Sequence, residues 1–527
     1  MLRLYNSYSK RKEVFRPLTD KVAAMYNCGP TVYDFAHIGN LRSFLFSDVL
    51  RRYLEYRGYR VRQIMNITDV GHMTTDADAG EDKMSVAMRR EGKGPAEVAR
   101  FYEEKFFEDM DALGIQRAWK YPRASEHVRE MIGLVKKLLK RGHAYLVPEY
   151  NPPQPSLTLR EGAESVSPLK VRGEEKGGYG NSVYYDLSTF PRYGKLSGNK
   201  VEDLIPGARA EVVHEKRNPY DFALWIYKPG HVLQWPSPWG AGYPGWHLEC
   251  SAMAMKYLGA TLDIHTGGED NKFPHHECEI AQSEGATRKP FARLWLHAKH
   301  LLVEGKKMSK SLQNFYTLRD LVAKGYRPRE IRYALISSHY RETLNFTLEG
   351  LKGAGAALQR VDELVDRLHN SPPPPLNLRG GVRSISPLRV RGERGVTKLI
   401  TKARRAFIAA LDDDLNVPEA LAALFRFTRS VNRTLTAYRL PPTAPDRRLI
   451  LKLLQEFDMV LGLGIGGKKK TTLPVAVIKL AEEREAARQA KNWKRADELR
   501  AQIREKGYRV DDTPHGPKLK AQFSNNQ

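Results

Sequence analysis

Cysteine is scarce in this chain, which has three cysteines in 527 residues. So few thiols exclude the disulfide framework of small secreted domains and favour a reducing, cytoplasmic setting. Long apolar runs are also absent, because no stretch reaches the roughly 18 apolar residues that a membrane-spanning helix needs. The first residues, Met1 to Asn6, lack the apolar centre of a signal peptide. The sequence therefore predicts a cytoplasmic protein that does not bind a membrane.

Acidic residues are outnumbered, with 61 Asp and Glu against 86 Lys and Arg and a net charge of +25. An excess this large predicts a polyanionic partner such as nucleic acid. Basic helix faces that merely contact solvent are the simpler explanation, and they remain an alternative at this point. The length predicts two to four domains.

The N-terminal pattern is typical of a parallel α/β fold. Residues 22–28 favour a buried strand, 29–35 a loop, Asn40 to Tyr56 an amphipathic helix and 59–67 a second strand. A strand–loop–helix–strand unit of this kind begins a parallel sheet.

Helical patterns dominate much of the remaining chain. Ser125 is predicted to cap a helix that ends at Gly142, and residues 329–461 are mainly helical. Residues 466–472 form a polar linker, after which 476–506 read as a helical pair and 508–510 as a strand.

One segment occurs twice. Residues 157–174 and 376–393 align without a gap and are identical at 12 of 18 positions, and both follow proline-rich tracts. A structural repeat would recur at a short period and share a buried face, which these copies do not. We interpret both as translated mobile DNA repeats tolerated in surface loops, where insertions cost little entropy. A duplicated binding peptide is the alternative.

Two short strings suggest a nucleotide site. The first is His37-Ile38-Gly39-Asn40, which lies at a helix start behind a strand, and the second is Lys307-Met308-Ser309-Lys310-Ser311. A helix N-terminus attracts phosphate, Gly39 allows close approach, and a lysine- and serine-rich loop can stabilise a triphosphate. Alone, each string is equally well a capped helix start or a basic turn. Their combination favours ATP binding.

The cysteines suggest a metal site. Cys28 ends the first strand, and Cys250 lies within a stretch rich in apolar residues. In the helix start His275-His276-Glu277-Cys278-Glu279, residues 275 and 279 share a face. Two cysteines, a histidine and a fourth ligand fit tetrahedral zinc, but spacing does not choose between Cys278 and Glu279. Three buried free cysteines are the alternative.

The two strings resemble the signatures of class I aminoacyl-tRNA synthetases, with Asn40 where the first signature usually ends in His. Over nearly the whole chain outside the duplicated segments, the sequence is similar to the cysteinyl-tRNA synthetase family. The similarity rests on residues 28–34, 66–69, 235–240, 245–253, 263–282, 307–311 and 412–420.

The resemblance implies a class I Rossmann-like catalytic domain with an insertion, followed by a helical bundle and a small C-terminal domain. It places the catalytic domain at 1–325, with the insertion at about 115–240. Within this insertion, the first translated DNA repeat is expected to occupy 152–178. The tRNA-binding bundle is expected at 326–465 with the second insert at 372–396, the linker at 466–473 and the anticodon-binding domain at 474–527.

The resemblance also assigns roles to individual residues. It implies that zinc is bound by Cys28, Cys250, His275 and Glu279, with Cys278 as a neighbour. Thr68, Trp246 and His265 would bind the substrate, with Gly267-Gly268 close by. ATP would contact His37, Gly39, Asn40, Lys307, Ser309 and Lys310, of which His37, Asn40, Lys307 and Lys310 are catalytic.

The implied reaction joins L-cysteine and ATP into cysteinyl-adenylate and pyrophosphate, then transfers cysteine to the 3′-terminal ribose of tRNA(Cys). The resemblance implies one Zn²⁺ per chain, Mg²⁺ with ATP, and a monomer. Two alternatives stay open: a cysteine ligase with an amino-sugar acceptor, and a catalytically silent tRNA-binding protein.

The basic C-terminal region is expected to contact tRNA. The predicted phosphate contacts are Arg484, Arg488, Lys491, Lys494, Arg495, Arg500 and Arg504. Trp493 is expected to pack against the helical pair more readily than to stack on a base. Leu519 stands where the family often has an aromatic residue.

Overall fold

The computed structural model describes residues 1–70, 83–151, 178–199, 216–309, 312, 314–370, 395–438, 444–466, 475–490, 492–505, 508–513 and 516–521. Lys310, Ser311, Lys491, both copies of the duplicated segment and most of the predicted linker lie outside these residues. The chain divides into two compact units, Met1–Gly466 and Gly467–Gln527. The finer domain boundaries within the first unit stay a prediction.

The secondary structure of the described residues alternates strands and helices up to residue 346 and is mainly helical afterwards. The strands are β1 (Arg3–Asn6), β2 (Arg11–Val14), β3 (Val22–Asn27), β4 (Arg60–Met65), β5 (Ala144–Asn151), β6 (Gly178–Tyr185), β7 (Phe222–Tyr227), β8 (Gly242–Pro244), β9 (Leu262–Gly268), β10 (Ala292–Ala298), β11 (Leu301–Val303), β12 (Lys306–Lys307), β13 (Leu344–Phe346), β14 (Tyr508–Thr513) and β15 (Gly516–Ala521). The helices are α1 (Ile38–Tyr56), α2 (Lys83–Glu91), α3 (Pro95–Ala112), α4 (Val128–Lys140), α5 (Trp246–Leu258), α6 (His275–Thr287), α7 (Leu318–Ala323), α8 (Pro328–Ile336), α9 (Leu348–Asn370), α10 (Gly395–Asp412), α11 (Val417–Tyr438), α12 (Ala444–Leu461), α13 (Val475–Gln489) and α14 (Trp493–Glu505).

The central sheet is parallel, in the order β10-β9-β3-β4. Helix α1 connects the adjacent strands β3 and β4, and it buries Leu41, Leu45 and Leu50 completely. The predicted parallel α/β unit is therefore confirmed. The helix begins two residues earlier than predicted, because the side chain of His37 caps it.

A second sheet lies between the halves of the central sheet in sequence. It is antiparallel, in the order β5-β6-β7-β8. Helix α4 precedes it, but Ser125 does not cap this helix as predicted. Ser125 lies inside a short 3₁₀ turn, Ala124–His127, and both its backbone N–H and its hydroxyl bond to the Asp69 carboxylate.

Helices α8 to α12 confirm the predicted helical region. A buried ion pair joins this region to α1, since Arg332 Nη2 lies 2.6 Å from Asp48 Oδ2. Arg332 also donates to the carbonyl of Leu461 at the end of α12, at 2.7 Å. Because an unpaired buried charge is costly, this pair fixes α1 to the helices behind it.

The second unit consists of the helical pair α13–α14 and the hairpin β14–β15. The predicted helical pair and strand are confirmed, and the strand extends into a hairpin. Packing of Trp493 is not borne out, because 60% of this residue is exposed. Arg484 is only 4% exposed, so its predicted phosphate contact is wrong for this conformation, whereas Lys494, Arg495, Arg500 and Arg504 are exposed.

None of the described helices combines the length and the apolar character needed to cross a membrane.

The first duplicated segment belongs to the stretch of chain that connects strands β5 and β6. Strands β5 and β6 stay paired up to Asn151 and Gly178. Gly178 therefore belongs to β6, so residues 152–177 of the predicted insert are the part outside the described residues. We expect a variant in which Asn-Gly replaces 152–177 to fold with an unchanged melting temperature, because a two-residue turn closes such a register.

Calorimetry measures the melting temperature of this variant, and an activity assay measures its function. A second variant in which the deletion extends into the paired strands, from 147 to 182, serves as the matched control and should lose stability. If the variant lacking 152–177 is folded but inactive, the insert has a function.

Asp109 on α3 is 3% exposed, and its Oδ1 lies 3.2 Å from Arg319 Nη2. Burial raises the pKa of its carboxyl to about 6, although Arg319 opposes the shift. The folded state thus binds more protons than the unfolded state between about pH 4 and 6, so this carboxylate costs stability as the pH rises through that window. We expect Asp109→Asn to stabilise the chain at pH 8 by about 1 to 3 kcal/mol, and by less at pH 5.

Melting temperatures of the variant and the wild-type chain at both pH values measure this difference. Asp111→Asn removes an exposed carboxylate of the same helix and should change stability by no more than about 0.5 kcal/mol at either pH. Equal effects of Asp109→Asn at pH 5 and pH 8 would contradict the assignment.

Candidate active site and metal centre

The site lies at the carboxyl ends of three neighbouring strands. Cys28 follows β3, Thr68 lies just beyond β4, and His265 is within β9. Strand β3 leads to β4 on one side and pairs with β9 on the other, so the sheet order reverses here. Ligands of open α/β sheets bind at such a switch point. The backbone N–H of Cys28 donates to the carbonyl of Thr266, which joins the two sides.

Four predicted ligands converge beside this point. One donor atom from each of Cys28, Cys250, His275 and Glu279 lies within 4.8 Å of the others. Cys250 comes from α5, whereas His275 and Glu279 lie one turn apart on α6, with His275 Nε2 3.1 Å from Glu279 Oε1. Cys28 is half-buried and the other three are buried, so the cluster is reached from the Cys28 side.

The structure distinguishes between Glu279 and Cys278 as the fourth donor, which the spacing in the sequence did not. Cys278 Sγ lies 3.3 Å from the hydroxyl of Tyr193 and is absent from the donor cluster. One residue along a helix turns the side chain by about 100°, so adjacent positions face different neighbours. The fourth donor of this cluster is therefore Glu279.

Further histidines hold the donors in place. His265 Nε2 lies 2.9 Å from Glu279 Oε2, which leaves Oε1 facing the cluster. His247 Nδ1 lies 2.8 Å from His275 Nδ1, which leaves Nε2 of His275 for the cluster. Such outer contacts orient ligands in metal sites. Cys28, His265, His276 and Glu279 form a second, overlapping donor set.

The pKa values of Glu279 and Cys250 favour negatively charged groups that can bind a cation. Burial alone would raise the pKa of Glu279, but His265 and His275 outweigh it and lower this pKa to about 2. Burial alone would lower the pKa of His275, yet Cys250 and Glu279 raise it to about 10. The hydrogen bond with Cys28 lowers the pKa of Cys250, whereas burial raises that of Cys28. A divalent metal ion that displaces two protons, one from His275 and one from the Cys28 thiol, would leave the net charge of the cluster unchanged.

The first signature string forms a capping box. The backbone N–H groups of Gly39 and Asn40 donate to His37 Nδ1 at 3.1 and 3.3 Å, and Asn40 Oδ1 accepts from the His37 N–H. A Cβ at Gly39 would approach the His37 ring to 2.8 Å, so this cap requires glycine. The N–H of Ile38 donates to the carbonyl of Tyr316, and that of Leu41 to His37. The backbone donors predicted for phosphate are thus occupied here, whereas the side chain of Asn40 is exposed at the helix start.

The second string begins on a tight hairpin. Strands β11 and β12 are joined by Glu304 and Gly305, with φ of +50° and +76°. Both residues have positive φ, as a type I′ turn requires, so Gly305 fixes the turn. Lys307 is exposed at its end.

The two strings lie next to each other. Met308 Cε is 3.6 Å from the position of a Cβ on Gly39, and the backbone of His37 forms a bridge with Thr317. Asn314 folds the loop back, because its side chain accepts from the Ser309 N–H at 2.8 Å and donates to the Lys307 carbonyl at 3.1 Å.

The three predicted substrate residues differ in exposure. Trp246 is half-buried with its ring 4.3 Å from that of His275, so it borders the mouth of the cluster. Thr68 is buried and donates to Glu249 at 3.0 Å. His265 is completely buried and contacts Glu279, so its observed role is to orient this carboxylate, and direct substrate contact stays a prediction.

Asn314, His247 and Arg42 had not been predicted at the site. Asn314 follows the lysine string closely, and its side chain can both donate and accept hydrogen bonds. These two features were the signal in the sequence that could have identified it. His247 adjoins Trp246 in a stretch already singled out. Arg42 stands five residues after His37, where the helical pattern gave no reason to separate it from other basic residues.

Comparisons with known proteins agree with this geometry. The sequence model "tRNA synthetases class I (C) catalytic domain" matches residues 14–356, "DALR domain" matches 406–465, and "Cysteinyl-tRNA ligase anticodon binding domain" matches 471–516. A protein named "Cysteine--tRNA ligase" from Protochlamydia amoebophila is 40% identical over 99% of this chain and 98% of its own length. One of the same name from Thermus thermophilus is 40% identical over 98% of both.

Among solved structures, methionyl-tRNA synthetase of Mycobacterium tuberculosis in complex with methionyl-adenylate resembles the chain with a TM-score of 0.56. The match covers 87% of this chain and 94% of that one at 13% identity, which supports the fold alone. With the family matches running from the catalytic sheet to the C-terminal unit, the chain belongs to the cysteine–tRNA ligases, within the class I aminoacyl-tRNA synthetases.

Proposed function

We propose that this protein activates L-cysteine with ATP and transfers it to the 3′-terminal ribose of tRNA(Cys). The observation that carries the proposal is the donor cluster of Cys28, Cys250, His275 and Glu279 at the same end of the sheet as the two signature strings. An amino acid whose side chain reaches the cluster would present its carboxylate toward the strings.

The donor set fits zinc. Thiolate, imidazole and carboxylate are its usual ligands, and the cluster supplies four of them, to which a substrate sulfur would be added as an extra ligand. The half-buried Cys28 and Trp246 leave one side open to a substrate. When bound, zinc would supply a coordinate bond to sulfur, which distinguishes cysteine from serine. Mg²⁺ would accompany ATP.

The ATP site would be formed by the two strings. His37 and Asn40 would donate to the phosphates from the start of α1, with Gly39 leaving room. Lys307 and Lys310 would stabilise the charge that develops at the α-phosphate, with Ser309 beside them. Asn314 would support Lys307, since its side chain donates to the Lys307 carbonyl. Carboxylate attack on phosphate needs this positioning and charge and no general base.

The second unit would bind the anticodon. Its exposed Arg495, Arg500 and Arg504 would contact phosphates, and the exposed ring of Trp493 is available to stack on a base. The amino-sugar ligase is disfavoured because the match to an anticodon-binding domain spans 471–516. A silent binder is disfavoured because the whole donor cluster is assembled.

Cysteine-dependent exchange of pyrophosphate into ATP, followed by charging of tRNA(Cys), tests this function. We expect exchange and charging with cysteine, and a kcat/KM for serine lower by at least about 1,000-fold, because serine cannot replace the lost sulfur bond. Comparable charging with serine would refute the role of the cluster in selection. Absence of exchange would favour the silent binder, and exchange without charging would favour another acceptor.

The two buried cysteines provide a matched test of the metal site. We expect Cys250→Ser to lower bound zinc from about one per chain to nearly none, because it removes a ligand. Cys278→Ser should keep the zinc, since this side chain contacts Tyr193 and lies outside the donor cluster. Metal analysis of the purified chains gives the result directly. Zinc retained by Cys250→Ser, or lost by Cys278→Ser, would contradict the assignment.

A further inference from the structure

Arg42 is a buried arginine whose hydrogen-bond acceptors are all uncharged. It lies on α1 and is 3% exposed. Burial lowers the pKa of its guanidinium to about 10, although the negative charge of Glu342 opposes the shift. Placing an arginine there costs desolvation energy, which neutral acceptors must offset.

Five neutral acceptors surround its guanidinium. Nη1 donates to the carbonyls of Lys299 and His300, both at 2.9 Å. Nη2 donates to Ser338 Oγ at 3.0 Å, and to the carbonyls of His339 and Glu342 at 3.2 and 2.6 Å. A planar fork of donors fits two groups of acceptors at once, which a lysine ammonium does not.

These acceptors lie at the base of the sheet β12-β11-β13. Residues 299 and 300 lead from β10 into β11, and Glu342 lies two residues before β13. Strand β11 pairs with β13 on one side and, through the tight hairpin, with β12 on the other. Because Lys307 is the last residue of β12, whatever fixes the base of this sheet also fixes the position of Lys307.

The helix that carries Arg42 also carries the other half of the ATP site. His37 caps α1 and Asn40 lies in its first turn. Arg42 therefore connects the helix bearing His37 and Asn40 with the hairpin bearing Lys307, through five partly buried hydrogen bonds. Met308 beside Gly39 is a further contact between the two.

We propose that Arg42 is a positioning residue for adenylate formation, which sets the Lys307 hairpin against the first turn of α1. The inference rests on the proposed function, because it assigns ATP to these two elements. The cluster near Cys250 does not contact the guanidinium, so cysteine binding should be independent of Arg42. The effect of a substitution should thus fall on ATP.

Arg332 provides a matched control. It is as deeply buried, it also holds α1, and it donates to the carbonyls of Leu461 and Leu113 as well as to Asp48. None of its partners belongs to the β12-β11-β13 sheet. A loss of stability alone should therefore be shared by variants of both arginines, whereas an effect specific to ATP should belong to Arg42.

The experiment uses the full chain with Arg42→Lys, Arg42→Met, Arg332→Lys and Arg332→Met. Melting temperature, zinc content and the exchange kinetics are measured, with KM determined separately for ATP and for cysteine. We expect Arg42→Lys to lower kcat/KM for ATP by about 10- to 100-fold, as misplacement by an ångström can do, with KM for cysteine changed less than about threefold. The Arg332 variants should lower the melting temperature without this split.

Ser338→Ala tests the same contact from the acceptor side and keeps the inference decidable if the Arg42 variants do not fold. It removes one hydroxyl and should raise KM for ATP by about two- to fivefold without lowering the melting temperature. Folded Arg42 variants with unchanged ATP kinetics, parallel losses for ATP and cysteine, or Ser338→Ala with wild-type ATP kinetics would overturn the inference. Absence of exchange in the wild-type chain would instead refute the proposed function.

Discussion

Parallel pairing of β3 with both β4 and β9 is the constraint on which the site depends. Parallel strands end at the same edge, so Cys28, Thr68 and the end of β9 are brought together although they are far apart in sequence. The same arrangement places the first turn of α1 at this edge, because α1 follows β3. The backbone topology alone therefore brings the donor cluster and the first signature string to the same end of the sheet.

Within this frame, the carboxylate of Glu279 organises the charges of the donor cluster. One oxygen faces His265 and the other faces His275, so a fully buried carboxylate is compensated on both sides. An uncompensated carboxylate in this position would be protonated or displaced. Since the imidazoles instead keep its pKa at about 2, the carboxyl group remains ionised throughout the physiological range. The charge of the cluster therefore depends on His265 as well as on the four donors.

The sequence predicted those parts of the fold and the site that depend on local pattern. Spacing of Leu41, Leu45 and Leu50 identified α1, and apolar strands beside it identified the sheet. It placed the helix start at Asn40, because a histidine that caps through Nδ1 resembles any polar residue before a helix. Ser125 failed as a cap for a related reason: its hydroxyl contacts Asp69, a tertiary partner that no local pattern reveals.

Contacts between distant segments explain the rest. Spacing alone could not choose between Cys278 and Glu279, since adjacent helix positions differ only in the neighbours they face, and here Tyr193 takes one and the cluster the other. The contact of His265 with Glu279 also joins two segments whose proximity no local pattern reveals. Exposure of Trp493 likewise follows from how α13 and α14 pack, which their basic, weakly patterned sequences do not specify.

The segment that receives Arg42 is also held from the helical side of the first unit. Asp414, in the turn between α10 and α11, accepts from the hydroxyl of Tyr340 and from Arg341 Nε, both at 2.6 Å. It also accepts from the backbone N–H of Tyr5 at 2.7 Å, so the N-terminal strand joins the same anchor. Residues 338–342 are therefore fixed between α1 on one side and the helical region on the other. Because β13 and then β11 follow from this segment, the position of Lys307 depends on the packing of the helices as well as on the sheet. The position of the two signature strings relative to each other is thus determined by the packing of the first unit, and not by either string alone.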